Sequence, residues 1–470
     1  MPKSTTGLNF QPFRSILISN MLTINRRETL WLFVGDILIF ILALYLSLFL
    51  RYGQKIGLNL FLEHLIPFAY VFGLWLLTFY IAGLYEKHTV VFTNRLPGII
   101  LRTLIVSSLL AVLFFYLFPG FGIAPKTILF FDIAITFVLI SLWRLYGRKF
   151  FFKINKEKAV LVGSGEEMME LFDEINNNQR YGLEFISSIN LEKVDKIDFQ
   201  SEILERVYAE NVSVIAVDLR SDKVEPILSH LYNLIFSKIK FIDLHKIYEE
   251  IFDRVPLSLL KYNWFIENIS LSPRLGYSVI KRLIDIVLSL ILLFVFIVLL
   301  PFIVLLIKVT DGRKIFIFQE RVGLNNKTIK IVKFRTMSFD DRGLEGEVKR
   351  ENRVTTVGAF LRKTRLDELP QVWNVLIGDL SLIGPRPELP VIAKQYEAEI
   401  PYYNIRHLIK PGLSGWAQIY QINPPKRDAN FDETKVKLSY DLYYLKNRSI
   451  LLDLKIALRT IKILLSRSGK

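Results

Sequence analysis

Long apolar stretches decide the fold class of this chain before any other feature does. Four of them, at about residues 30–50, 65–83, 99–118 and 127–143, each approach the ~20 residues a helix needs to cross a hydrocarbon core of about 30 Å. A further run, Ile286–Ile307, holds 22 residues without a charge. Mixed sequence separates these stretches, although 51% of all residues are hydrophobic. This is the profile of a membrane protein that also carries soluble domains. A chain of 470 residues also exceeds one compact domain.

Charge bias orients the four spans. Lys3, Arg14, Arg26 and Arg27 precede the first, Lys87 and Arg95 lie between the second and third, and Arg144, Arg148, Lys149 and Lys153 follow the fourth. The turn Pro119–Pro125 is uncharged, although Arg51 and Lys55 occupy the loop at 51–61. By the positive-inside rule both ends of the bundle face the cytoplasm. Residues 1–27 lack an apolar run long enough for a cleavable signal. Asp36 and Asp132 fall inside spans, where a carboxylate is expected to pair with another helix. The net charge of +15 fits anionic lipid and phosphorylated substrates, and no nucleic-acid partner is expected. With no cysteine in the chain, disulfides, thiolate metal sites and cysteine nucleophiles are excluded.

Residues 146–276 read as an α/β domain with a linker. The apolar strand from Lys158 runs into Gly163-Ser-Gly165 and a helical stretch, Glu166–Asn176, and Val212–Val217 and Ile239–Ile242 read as further buried strands. A glycine turn of this kind can cradle phosphate. Here Met168 occupies the third glycine position, which favours a Rossmann-like fold without cofactor. Residues 277–308 read as a re-entrant membrane helix pair bent near Pro301, which removes a backbone donor. Basic residues flank both ends of that segment, and a plain fifth crossing would separate the soluble domains.

Beyond Lys308, charged clusters alternate with glycine and proline. In Leu361-Arg-Lys-Thr-Arg-Leu-Asp-Glu-Leu-Pro370, Arg362, Lys363 and Arg365 crowd against Asp367 and Glu368. Such a pair suits a divalent metal shared with substrate phosphate, cations suit developing phosphoryl charge, and a carboxylate can attack phosphorus. Pro385-Arg386-Pro387 fixes an arginine between restricted backbones. Lys333 and Arg335 flank Phe334 on a strand, so both would project to one face.

The C-terminal third resembles the bacterial sugar transferase family, the polyprenyl-phosphate hexose-1-phosphate transferases. The likeness runs from Lys281-Arg-Leu-Ile-Asp285 through Gln319-Glu-Arg-Val-Gly323, Lys333-Phe-Arg-Thr-Met337, Leu366-Asp-Glu-Leu-Pro370, Gly384-Pro-Arg-Pro387, Pro411-Gly-Leu-Ser-Gly-Trp-Ala-Gln418 and Tyr440-Asp-Leu-Tyr-Tyr444. The front half resembles the long-chain subgroup, which starts exopolysaccharide, capsule or O-antigen assembly. The resemblance implies Asp367 as nucleophile, Glu368 as a catalytic, magnesium-associated acid, and Arg386 with Pro385 and Pro387 as the uridine-nucleotide perch. It makes Lys333, Arg335 and Arg362 phosphate-facing cations. The implied partners are a UDP-sugar, galactose or glucose first, and undecaprenyl phosphate. Two departures stand out: Leu300-Pro301 replaces the family's Ser-Pro, and Ile419-Tyr-Gln-Ile-Asn423 replaces Gly-Arg-Asn.

The expected architecture is therefore a membrane α-helical bundle, a Rossmann-like α/β domain and a mixed, mainly α catalytic domain anchored by a re-entrant helix. Its parts are a cytoplasmic segment 1–28, a four-helix bundle 29–145, the α/β domain and linker 146–276, the re-entrant helix 277–308 and the catalytic domain 309–470. A homodimer is compatible with this plan. The rival readings are a membrane-bound nucleotide-sugar dehydratase or epimerase, whose Tyr-x-x-x-Lys would fall on Tyr277 and Lys281, and a non-enzymatic scaffold of polysaccharide assembly.

Overall fold

The computed structural model describes residues 26–53, 56–85, 96–118, 126–147, 156–178, 181–192, 205–237, 239–269, 275–311, 314–337, 354–421 and 430–465. Lys3, Arg14, Lys55, Lys87, Arg95, Arg148, Lys149, Lys153, the turn Pro119–Pro125 and the end of the departing loop at Asn423 lie outside them. The chain divides into two compact units, Met1–Ile251 and Phe252–Lys470.

In the first unit, the apolar stretches form α1 (Arg26–Tyr52), α2 (Leu58–Ala82), α3 (Leu96–Leu117) and α4 (Lys126–Leu142), all long and apolar enough to cross a membrane. Their shared core is aromatic: Phe40 meets Phe72 at 5.3 Å and Trp75 at 5.4 Å between ring centres. Polar groups in it also bond across helices, as when Trp75 Nε1 of α2 donates to the Ser107 carbonyl of α3 at 3.1 Å. Asp36 does pair between helices, with Arg144 and with Tyr85, whose hydroxyl donates at 2.7 Å. Arg144 also donates to the Leu84 carbonyl at 2.7 Å, so this basic residue is a buried clasp. Asp132 is equally buried, yet neither of its oxygens has a hydrogen-bond partner among the described residues.

The same unit contains β1 (Glu157–Gly163), α5 (Glu166–Asn177), β2 (Leu183–Asn190), β3 (Val214–Val217), β4 (Lys240–Asp243) and α6 (Leu244–Phe252). The four strands form one parallel sheet in the order β2-β1-β3-β4. β1 and β3 are apolar and buried in the way a sheet covered on both faces requires. Gly163 is set by packing: a Cβ there would lie 2.7 Å from Leu244 Cδ1 and 3.3 Å from Met168 Sδ.

The second unit begins with residues expected as linker. Val255, Leu260, Trp264 and Phe265 join its main core beside Tyr396, Trp416 and Leu442. Then comes α7 (Leu275–Asp311), 37 residues with Pro301 inside. The expected pair of helices is one continuous helix here, because a proline deletes one backbone bond and can leave its neighbours in place. Tyr277 and Lys281 both bind Asp453 Oδ2, at 3.0 and 2.9 Å. Arg282 donates to the Val375 and Leu376 carbonyls, at 2.7 Å each, and Asp285 accepts from the Leu382 amide at 3.1 Å. Farther along, Ile303 and Ile307 pack against Phe334 and Leu361. Its remaining faces are apolar and exposed, including Phe294 at 69% and Phe302 at 64%.

The hairpin β5 (Phe316–Val322) and β6 (Thr328–Phe334) pairs Ile317 with Lys333 and Arg321 with Ile329. α8 (Thr356–Lys363), a 3-10 turn Leu366–Gln371, and α9 (Val372–Ile377) follow. A two-stranded parallel pair joins β7 (Ser381–Ile383) to β8 (Gly412–Ser414). α10 (Phe431–Asn447) and α11 (Ile450–Leu465) close the unit.

Candidate active site

Asp367 and Glu368 sit in the first turn of the 3-10 segment, after Arg365 turns the chain with φ 57°. A non-glycine residue in that left-handed region ends α8 and starts the turn at once, bringing the acids back toward β6. Thr355 caps α8 through the Gly358 amide. Gly358 lets the helix lie against the strand extension, since a Cβ there would meet the Thr336 carbonyl oxygen at 2.0 Å. That approach allows Arg362 Nε to donate to Thr336 Oγ1 at 2.8 Å.

Glu368 is the electrostatic hub. Its Oε1 accepts from Arg386 Nη2 at 2.6 Å and from Lys333 Nζ at 3.1 Å, while Arg365 approaches Oε2 at 4.0 Å. Burial alone would raise its pKa, but Arg386 and then Lys333 hold the carboxyl well below the usual range. Asp367 is the opposite case. Its Oδ1 is buried with no partner among the described residues. Burial, and then the charge of Glu368, pushes its carboxyl above the ordinary value, against the pull of Lys333, Arg362 and Arg365. Lys333 is lowered by burial and partly restored by Glu368. Two adjacent acids thus have divergent environments: one is a fixed anion, the other a desolvated carboxylate with an open oxygen.

The Arg386 perch is built from behind. Gly384 N donates to the Ser414 carbonyl at 2.8 Å and Gly412 N to the Pro385 carbonyl at 2.9 Å, fixing the loop that carries Pro385, Arg386 and Pro387. Buried Arg406 donates to the Arg386 carbonyl at 3.0 Å and pairs with Asp441 at 2.7 Å. Lys437 and Glu388 form a further buried pair in this layer.

Among the expected residues, the structure brings Lys333, Arg386 and Glu368 into direct contact and keeps Arg362 beside Asp367. Arg335 is held differently: it is 4% exposed, and its Nε donates to the Met337 carbonyl at 3.2 Å. Lys333 is the penultimate residue of β6 and Arg335 lies beyond the strand, so strand alternation does not govern the pair. Sequence reasoning passed over Arg321 and Gln371, which line a cleft with Lys333 and Arg386. Arg321 shares a face with Lys333 only because the hairpin register sets Ile317 opposite Lys333 and Arg321 opposite Ile329. In the departing loop, Tyr420 lies 4.2 Å from Trp416 and 4.0 Å from the guanidinium carbon of Arg459.

No cluster of three or more metal-ligating side chains occurs among the described residues. The carboxylate pair nevertheless fits a magnesium ion shared with substrate phosphate, because Asp367 Oδ1 is open and hydrogen bonds from cations engage only one Glu368 oxygen.

These features define a membrane protein whose second unit holds a buried carboxylate pair, Asp367 and Glu368, among cationic side chains. Residues 276–467 match the family model described as bacterial sugar transferase. A UDP-N-acetylgalactosamine-undecaprenyl-phosphate N-acetylgalactosaminephosphotransferase of Aeromonas hydrophila is 42% identical over 43% of this chain and 47% of its own length. A UDP-glucose:undecaprenyl-phosphate glucose-1-phosphate transferase of Klebsiella pneumoniae is 40% identical over 40% of this chain and 41% of its own. The exopolysaccharide production protein PSS of Rhizobium leguminosarum bv. phaseoli is 39% identical over 40% of this chain, and the match takes in 96% of that protein. The chain spans less than half the length of the first two relatives. It belongs to the bacterial sugar transferase family.

Proposed function

We propose that the chain transfers a hexose-1-phosphate from a UDP-sugar to undecaprenyl phosphate at the cytoplasmic face of a bacterial inner membrane. Asp367 attacks the β-phosphorus of the UDP-sugar. An oxygen–phosphorus bond forms, the bond from that phosphorus to the bridging oxygen breaks, and UMP leaves with the electron pair. A phosphate oxygen of undecaprenyl phosphate then attacks the same phosphorus. Asp367 departs as a carboxylate, and the diphosphate-linked sugar is the product that begins exopolysaccharide, capsule or O-antigen synthesis.

The observation that carries this reading is the buried Asp367 Oδ1, without a hydrogen-bond partner among the described residues, beside a glutamate locked by Arg386 and Lys333. Cations arranged before substrate arrives need no reorganisation when charge moves onto the leaving phosphate. Magnesium held by Glu368 and substrate phosphate would offset repulsion among the reacting anions. Pro385, Arg386 and Pro387 form the nucleotide perch, while Arg362 faces the transferred phosphate. Arg335, also expected to face phosphate, is buried and donates from Nε to the Met337 carbonyl.

Both ends of α7 touch the same domain, through Lys281, Arg282 and Asp285 at its start and Ile303 and Ile307 near its end. We read α7 as unbroken but bent at Pro301, so that it leaves the membrane on the face it entered and the dyad lies level with lipid headgroups. The parallel sheet of the first unit, with its glycine turn after β1, is read as Rossmann-like. The dehydratase reading fares worse: Tyr277 and Lys281 are both committed to Asp453. Galactose and glucose are the first donors to try, followed by N-acetylgalactosamine, named for a relative. The test is UMP release from a panel of UDP-sugars with magnesium and undecaprenyl phosphate. One or two sugars should release UMP and load the lipid, and release from none would refute the proposal.

A further inference from the structure

We infer that Gln371 is a substrate-binding residue, whose side-chain amide donates to a phosphoryl oxygen in an inner pocket beneath Lys333 and Arg386. This rests on the reading of the dyad as a phosphoryl-transfer site. Gln371 ends the 3-10 segment that carries Asp367 and Glu368. With about three residues per turn, a 3-10 helix sets position i+3 directly over position i, so Gln371 rises on the side of Glu368. Its side chain is buried at 4% exposure. The Nε2 atom has no hydrogen-bond partner among the described residues. It lines a cleft with the cations Arg321, Lys333 and Arg386 as well as Ile331, Pro387, Gly412 and Leu413.

A buried amide donor without an acceptor is rare in a settled structure and points to an absent partner. The lining identifies that partner by charge. It holds three cations, Arg321, Lys333 and Arg386, and no carboxylate, a lining that favours an anionic acceptor. Glu368 uses one oxygen to hold Lys333 and Arg386 from the side, leaving the cleft net positive. The amide also matches the chemistry needed: it binds an anion without adding charge that would draw Glu368 or Asp367 away from their roles. A phosphoryl oxygen can come from the nucleotide diphosphate or from the lipid phosphate.

The experiment uses the full-length protein in detergent or nanodiscs, with Gln371→Glu and Gln371→Met. UMP binding is measured calorimetrically, the lipid-dependent half-reaction with a short-chain polyprenyl phosphate, and melting temperature without ligand. Gln371→Glu places a carboxylate among three cations, so the free protein should melt at the wild-type temperature or above. Its UMP affinity should fall by about tenfold or more, with Gln371→Met falling less. Unchanged UMP binding with a comparable rise in KM for the polyprenyl phosphate would assign the same donor to the lipid phosphate. A lower melting temperature in both variants, with UMP affinity and lipid KM unchanged, would show a purely structural glutamine and overturn the inference. Wild type failing to bind UMP would instead strike the proposed function itself.

Discussion

Replacing Glu368 with glutamine tests whether this carboxylate assembles the site. Its Oε1 accepts charge-assisted hydrogen bonds from Arg386 at 2.6 Å and Lys333 at 3.1 Å. Bonds of that kind contribute about 1.5–3 kcal/mol each, and a neutral acceptor keeps roughly half of that. Half of the pair's combined ~3–6 kcal/mol is a loss of about 1.5–3 kcal/mol, or roughly 10- to 150-fold at 1.4 kcal/mol per decade. The UMP burst of Glu368→Gln should therefore slow by that factor, provided the geometry held by Glu368 is the reactive one. Arg386→Ala should lose a similar or larger amount, and the double mutant should fall well short of the sum because both changes break one contact. The assay is rapid-quench UMP release across the four-protein cycle. A Glu368→Gln burst within twofold of wild type, or strictly additive losses, would refute the reasoning.

Burial and the neighbouring Glu368 push the Asp367 carboxyl above its ordinary value, and in the proposed mechanism only the ionised form attacks. The acid limb of kcat/KM should therefore lie above an unperturbed aspartate, with activity falling as pH drops through it. Arg362→Ala removes a charge that lowers this pKa, so the limb should move to higher pH, and a limb that stays or moves down would contradict the assignment. Gly358→Ala would drive a methyl group into the Thr336 carbonyl, 2.0 Å from the ideal Cβ position. It should cost about 1–3 kcal/mol of stability and release Arg362 from Thr336, read as a lower melting temperature and a weakened UMP burst. In the bundle, Asp36→Ala leaves Arg144 buried without its carboxylate and should cost about 3–5 kcal/mol. Asp132→Asn removes no observed pairing and should change stability far less. Thermal unfolding in one detergent separates the two, and equal losses would show Asp132 to be a structural partner as well.

Much of this was legible because the signals are local. Hydropathy places α1, α3 and α4 within a few residues of their observed limits, while α2 begins at Leu58, ahead of the expected 65, because its first turns lie outside the strictly apolar stretch. The apolar β1 and the glycine turn announce the parallel sheet, and the motif around Asp367 announces the dyad. What escaped depends on long-range geometry. The partnership of Arg386 with Glu368 needs the loop after β7 to fold back on the 3-10 turn, which no spacing in the chain encodes. Arg321 enters the site through a hairpin register. Arg335 follows the alternating-charge pattern of a strand but lies past the end of β6, so its side chain goes inward. Pro301 reads as a break between two helices, whereas the helix runs on through it, because losing one backbone hydrogen bond can bend a helix without ending it. Residues 252–269 read as linker because they lie between the α/β pattern and the next apolar run, and only the packed structure shows Trp264 and Phe265 in the core of the second unit.

The central claim is covalent: the sugar phosphate resides on Asp367 between the two half-reactions. The most direct measurement is intact and peptide mass spectrometry of the acid-quenched protein after exposure to its UDP-sugar without lipid acceptor, alongside Asp367→Asn. The account predicts a stoichiometric burst of UMP and a hexose-phosphate adduct on the peptide containing Asp367, both missing from the variant. UMP formed only when polyprenyl phosphate is present, with no adduct on the protein, would contradict it.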